Sequence, residues 1–184
     1  LNELERGSSS IELSAFNNGS LNTVLGNVDL SIAPIYFKNL RDPIEKLDEY
    51  RSYLCNWKSS NKKEPIGGYL IDPIATNLWL KEFSDERLNK DIQHEGLFEK
   101  TLNISSEFNK ILPNLEIINI DGSLWNDLGA GISKEIELIT LSYLEILRAS
   151  KQKKNSEQNI YITVSSNTNF FSLIAKFRSI RIIF

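Results

Sequence analysis

Two strand-then-helix units in direct succession, between Leu115 and Phe184, constrain this chain more than any other feature. Leu115–Ile120 is a short apolar run rich in β-branched residues, closed by Asp121-Gly122, the pattern of a buried strand entering a turn. After Gly129-Ala130-Gly131 the spacing becomes helical, with Ile132, Ile136, Ile139, Tyr143 and Ile146 on one face. Lys134, Glu137, Glu145 and Arg148 occupy the other face, as in a helix packed on a sheet. Ile160–Val164 reads as a second buried strand. Asn167 or Thr168 is placed to cap a last helix whose apolar stripe is Phe170, Ile174, Phe177 and Phe184. Consecutive βα units predict a parallel sheet with right-handed crossovers.

The rest of the chain repeats the alternation. Ser10–Phe16, Leu30–Phe37 and Ile66–Ile71 are strand candidates, with Pro34 interrupting the hydrogen bonding of the second. Leu21–Leu25 is long enough only for a brief helix, and Leu1–Gly7 reads as a helix end capped by Gly7. Asp42 and Pro43 predict the start of a helix running to Trp57, with Ile44, Leu47, Tyr50, Tyr53 or Leu54, and Trp57 turned inward. Gly67-Gly68 fits close backbone packing or a bulge rather than a phosphate loop. From Leu78 to Leu112 the pattern is helical but broken, with Ser84 and Gly96 as boundaries. Five strands alternating with helices predict a (β/α) barrel or a doubly wound sheet. The barrel reading expects the strands side by side in sequence order, with apolar residues on the inner face.

Composition narrows the partners. At 184 residues the chain is one domain or part of one, and its net charge of −3 gives no electrostatic reason for nucleic acid or an anionic membrane. The single cysteine, Cys55, excludes an internal disulfide and fits a reducing cytoplasm. No run is apolar and long enough to span a bilayer. The sequence holds no methionine and stops within the apolar stripe of its last helix, so a fragment of a longer protein is expected.

Candidate chemistry is sparse. The only histidine, His94, sits among Asp91, Gln93 and Glu95 and reads as a solvated side chain. One histidine and one distant cysteine cannot supply a metal site, and a Cys55–His94 nucleophile pair needs the two to meet in space. Asp121 and Asp127 flank a turn at the C-terminal end of a strand, where barrel enzymes place catalytic groups. They are open to two uses: paired carboxylates for acid–base work, or turn and cap chemistry around Gly122 and Gly129. No GxGxxG or GxxxxGK[ST] fingerprint is present.

The run Asn169-Phe170-Phe171, Ile174-Ala175-Lys176-Phe177-Arg178 and Arg181-Ile182-Ile183-Phe184 resembles the helix after a late barrel strand in the methylmalonyl-CoA mutase family. Gly129-Ala130, Glu135 and Leu144-Glu145-Ile146-Leu147-Arg148 are similar to the preceding helix, with no gap between the two matches. Gly26-Asn27-Val28-Asp29-Leu30 with Ala33-Pro34-Ile35 looks like the family's small, non-catalytic subunit. The resemblance implies part of a (β/α)8 barrel, spanning residues 1–184 with about five of eight units. It also implies a heterodimer with a large subunit that carries adenosylcobalamin and interconverts (R)-methylmalonyl-CoA and succinyl-CoA. No cofactor is expected on this chain, because the cobalamin domain with its histidine motif is missing. The family's catalytic histidine, glutamine and substrate-gripping arginine fall at Leu124, Leu70 and Leu80, the last with Lys81 beside it. Leucines can neither donate nor accept the required hydrogen bonds. The alternatives are a free-standing acyl-CoA-binding or scaffold protein derived from the same barrel, and a catalytic mutase with a rearranged site.

Overall fold

The computed structural model describes residues 9–14, 21–38, 44, 46–76, 78, 96–152 and 159–184. Five strands form one parallel sheet: β1 (Ile11–Ser14), β2 (Ile35–Lys38), β3 (Gly67–Ile71), β4 (Leu115–Asp121) and β5 (Ile160–Thr163). Their spatial order follows the sequence from β1 to β5, without the reversal of a doubly wound sheet. Between them run α1 (Leu21–Leu25), α2 (Leu47–Asn61), α3 (Leu97–Ile111), the short α4 (Gly122–Asp127) and α5 (Ile132–Gln152), with α6 (Phe170–Ile183) after β5. The chain is therefore α/β, and the sequential parallel order is the one a partial barrel requires.

Helices cover one face of the sheet. Ile35 and Phe37 of β2, Tyr69 and Ile71 of β3, and Leu115 and Ile117 of β4 are buried against Leu47, Tyr50 and Leu54 of α2. The Phe37 and Tyr50 rings meet edge-on at 4.6 Å, and Tyr69 lies 5.5 Å from Tyr50. A second cluster joins Ile118 and Ile120 to Ile139 and Ile146 of α5 and Leu102 of α3. Burial of each such side chain stabilises the fold by about 1.5–3 kcal/mol. On α5 the expected faces hold: Ile139 and Ile146 are fully buried, while Lys134, Glu137, Glu145 and Arg148 are exposed.

Gly67 and Gly68 are the tight points of the sheet. Gly67 has φ +118°, and a Cβ there would collide with the Ile35 backbone, as one at Gly68 would with Glu116 O. The β3–β4 register shifts between Gly68 and Ile71. Close packing with a local irregularity is thus the role of this pair.

Several boundaries differ from the sequence reading. β2 begins at Ile35, because residues 30–33 are turned instead: Asp29 accepts hydrogen bonds from the Ser31 amide and hydroxyl, and its carbonyl accepts from Ile32 and Ala33. The described part of the second helix begins at Leu47, and Asp42 and Pro43 lie outside the described residues, as do the helix end at 1–7, Phe16 and Ser84. The last helix is capped by Asn169, whose side chain accepts from Ser172 N, and Asn167 instead supports Asn169. Its expected apolar stripe is not buried: Phe170, Ile174, Phe177 and Phe184 are all exposed, and the one buried residue of α6 is Lys176. Among the described residues no helix is long and apolar enough to cross a membrane.

Candidate functional site

Polar side chains gather where β2, β3 and β4 end. Each strand is an apolar run finished by a charged residue: Phe37-Lys38, Ile71-Asp72 and Ile120-Asp121. Asp121 caps α4, its carboxylate accepting from the Ser123 amide at 3.0 Å and from the Ser123 hydroxyl. Lys38 reaches across β3 to form an ion pair with the same carboxylate, which is fully buried. Among the described residues Asp72 has no cationic partner. Its Oδ1 accepts from Ile74 N at 2.8 Å and Ala75 N at 2.7 Å, closing the turn after β3, and its Oδ2 accepts from Asp121 N at 2.6 Å. Burial pushes the Asp72 carboxyl up to about 6; the three backbone donors pull the other way, and the Asp121 charge adds to the rise.

Below this rim, the concave face of the sheet is polar. Tyr36 on β2 and Tyr161 on β5 have ring centroids 4.7 Å apart. Their strands are three positions apart, which in a flat sheet is roughly 14 Å. The sheet therefore curls toward this face, and the two rings close across it. Glu116 hydrogen-bonds Tyr36; burial raises the carboxyl of Glu116, and burial followed by that carboxylate's charge raises Tyr36 to about 12. Asn119 Oδ1 accepts from Thr163 Oγ1 at 3.1 Å, while its buried Nδ2 has no partner among the described residues. The sequence reading placed apolar residues here. Leu70, in register with Lys38, does lie on this face, but most of the strands' apolar residues face the helices, whose covering surface keeps them from water.

The expected site positions separate. Leu70 is buried in register with Lys38 on β2. Leu124 on α4 is 1% exposed and packs with Ala75 and Trp125, joining α4 to the turn after β3. Leu80, Lys81 and His94 lie outside the described residues. Asp121 and Asp127 are not paired. Asp121 is buried at the start of α4, and Asp127 is exposed at its last residue, about 9 Å along the axis. Cap chemistry is thus the use made of Asp121, and the carboxylate that neighbours it is Asp72. The sequence reading missed this pairing; the charged residue closing each apolar strand is the signal that carries it.

A second buried polar group fixes the last helix. Glu135 of α5 accepts from Ser165 N at 2.9 Å, Ser165 Oγ at 2.7 Å and Lys176 Nζ at 2.6 Å. Lys176 also donates to the Ser165 carbonyl. An open groove of about 770 Å³ lies away from the strand ends, between α1, the turn after it and α2, and is lined by Tyr53, Trp57 and several asparagines. Cys55 is a free thiol, half-buried. Among the described residues no three His, Cys, Asp or Glu side chains are grouped to hold a metal ion.

No protein-family model matches this chain, and no curated protein does.

Proposed function

We propose that this chain is part of a (β/α)8 barrel and acts as the non-catalytic small subunit of an adenosylcobalamin-dependent methylmalonyl-CoA mutase, supporting the large subunit in a cytoplasmic heterodimer. The Tyr36–Tyr161 contact carries the non-catalytic half of the reading. A barrel enzyme that admits an extended acyl chain needs a passage along its axis, and here two rings 4.7 Å apart close the concave face. The strand-end charges support it as well. Lys38 is neutralised by Asp121, so it is not held ready for a substrate carboxylate, and Asp72 is engaged by three backbone amides, so it is not held ready as a free acid or base. Leu70 and Leu124, at the positions of the family's polar groups, are both buried, Leu124 against Ala75 and Trp125. These already-paired groups do not fit the role of cofactor donors, and the cobalamin is assigned to the large subunit.

The test is co-purification with a methylmalonyl-CoA mutase large subunit, sized by chromatography with light scattering. A one-to-one complex whose isomerase activity needs the large subunit is expected. An active homodimer of this chain's parent would contradict the reading.

A second reading, a free-standing acyl-CoA-binding protein, draws on Asn119 Nδ2, a buried donor suited to a carbonyl oxygen. Calorimetric titration with succinyl-CoA distinguishes it: saturable binding by this chain alone, lost in Asn119→Leu, would favour it over the subunit reading.

A further inference from the structure

Helix α1 is too short to flank its neighbour. It has 5 residues against the 15 of α2, about 8 Å against about 22 Å along the axis. Residues 26–29 border the rest of α2, and the space left between is the open groove of about 770 Å³. That volume is within the range of small-molecule sites. The two helices belong to consecutive βα units on either side of β2, so the groove is not at an open edge of the sheet.

The walls of the groove are fixed. Val28 N donates to the Leu25 carbonyl at 2.9 Å, and Lys63 Nζ, just beyond α2, holds the Asp29 carboxylate at 2.7 Å. Tyr53 and Trp57 rest on the core cluster and are half-buried, which leaves the remainder of each ring to the groove. They are one helical turn apart on α2, about 6 Å along its axis. Rings held in this way are a rigid apolar platform.

The polar lining selects the ligand. Asn22 and Asn27 stand on the α1 side, Asn56 and Asn61 on the α2 side, all exposed. Asn61 Nδ2 donates to the Trp57 carbonyl, while the side chains of the other three make no hydrogen bond among the described residues. Each amide offers both donors and an acceptor, the combination that a hydroxyl group can meet from either side. No Lys or Arg lines the groove, Asp29 is matched by Lys63, and Glu49 is an unpaired carboxylate among the described residues. An anionic ligand therefore finds no counter-charge there.

We propose that the groove between α1 and α2 binds a neutral polyhydroxylated ligand, a short oligosaccharide. Its hydroxyls meet the asparagine amides, and the apolar face of a sugar ring lies on Tyr53 and Trp57. The site is independent of the subunit reading, since none of its residues belongs to the strand-end rim or the concave face.

The experiment titrates the full chain by calorimetry with neutral trisaccharides of glucose, mannose, xylose and N-acetylglucosamine, beside spermidine and inorganic phosphate. The variants are Trp57→Leu, which keeps an apolar contact with the core, Asn27→Ala/Asn56→Ala, whose side chains are exposed, and Lys151→Ala on α5 as a control. Circular dichroism confirms that each is folded, and the asparagine pair decides alone if Trp57→Leu is not. At least one trisaccharide should bind saturably, about tenfold more weakly in either groove variant and unchanged in Lys151→Ala. No saturable binding of any trisaccharide at millimolar concentration overturns the inference, as does binding that the groove variants leave intact. Spermidine or phosphate binding lost in the same variants, with the trisaccharides inert, makes the groove an ion site and likewise overturns it. None of these outcomes bears on association with a large subunit, which is measured separately.

Discussion

Lys176 Nζ lies 2.6 Å from Glu135 Oε2, and both side chains are sealed from solvent, at 1% and 0% exposure. An unpaired charge at either position would be left without water to solvate it. Lys176→Met should therefore cost about 3–5 kcal/mol. Lys176→Met combined with Glu135→Leu should cost clearly less than the sum of the two single changes, although Ser165 also loses its acceptor. Urea denaturation of the full chain and its three variants reads this directly. Additive losses would show that the two groups are not coupled.

Gly122 sits where α4 meets α5. A Cβ there would lie 2.7 Å from Glu135 Oε1 and Ile139 Cδ1 and 2.9 Å from the Thr163 carbonyl. Gly122→Ala should destabilise by about 1–3 kcal/mol, since backbone and a tethered carboxylate cannot yield cheaply. Gly131→Ala, with nothing within 4 Å, is the control and should be close to neutral. Equal melting temperatures for the two variants would contradict this packing.

Asp72 gives stability a pH dependence. Its folded-state carboxyl is raised from 3.8 to about 6, so the protonated form is favoured by folding. The stabilising contribution is complete below the unfolded value and is lost as pH rises through about 6. Two units correspond to roughly 3 kcal/mol. The stability of wild type relative to Asp72→Asn should fall by that order between pH 4 and 6 and level off above 7. A difference that is flat, or that grows with pH, would remove Asp72 as the titrating group.

Leu124→His tests the proposed subunit reading, on which position 124 stands where the resembled mutases carry a histidine. Leu124 packs on Ala75 and Trp125, so an imidazole there is a buried polar group in an apolar contact. We expect a loss of about 2–4 kcal/mol and no formation of succinyl-CoA from methylmalonyl-CoA. Turnover by this variant without a large subunit would show that the chain's own rim can support the chemistry.

Sequence and tertiary structure divide the explanation cleanly at particular residues. The β-branched runs at 115–120 and 160–163 dictated strands because their local pattern admits little else, and the face of α5 was legible from its period. The position of β2 was not. Pro34 and the Asp29 side chain turn residues 29–33, and local apolarity alone does not reveal that competition. The outward stripe of α6 was also hidden, since periodicity identifies an apolar face without saying whether anything covers it.

What the sequence by itself determined is the alternation of strand and helix, and with it a parallel α/β sheet; the choice between sequential and doubly wound strand order was the structure's. Each apolar run needs a covering layer, and a helical crossover supplies it on the way to the next parallel strand. Only the tertiary structure decided which distant groups meet. Lys38 with Asp121, Asp72 with the Asp121 amide, Tyr36 with Tyr161 and Glu135 with Lys176 are separated by 41 to 125 residues in the chain. Their pairing depends on strand register and sheet curvature, which sum many weak contacts across the sheet and leave no signature in any one segment.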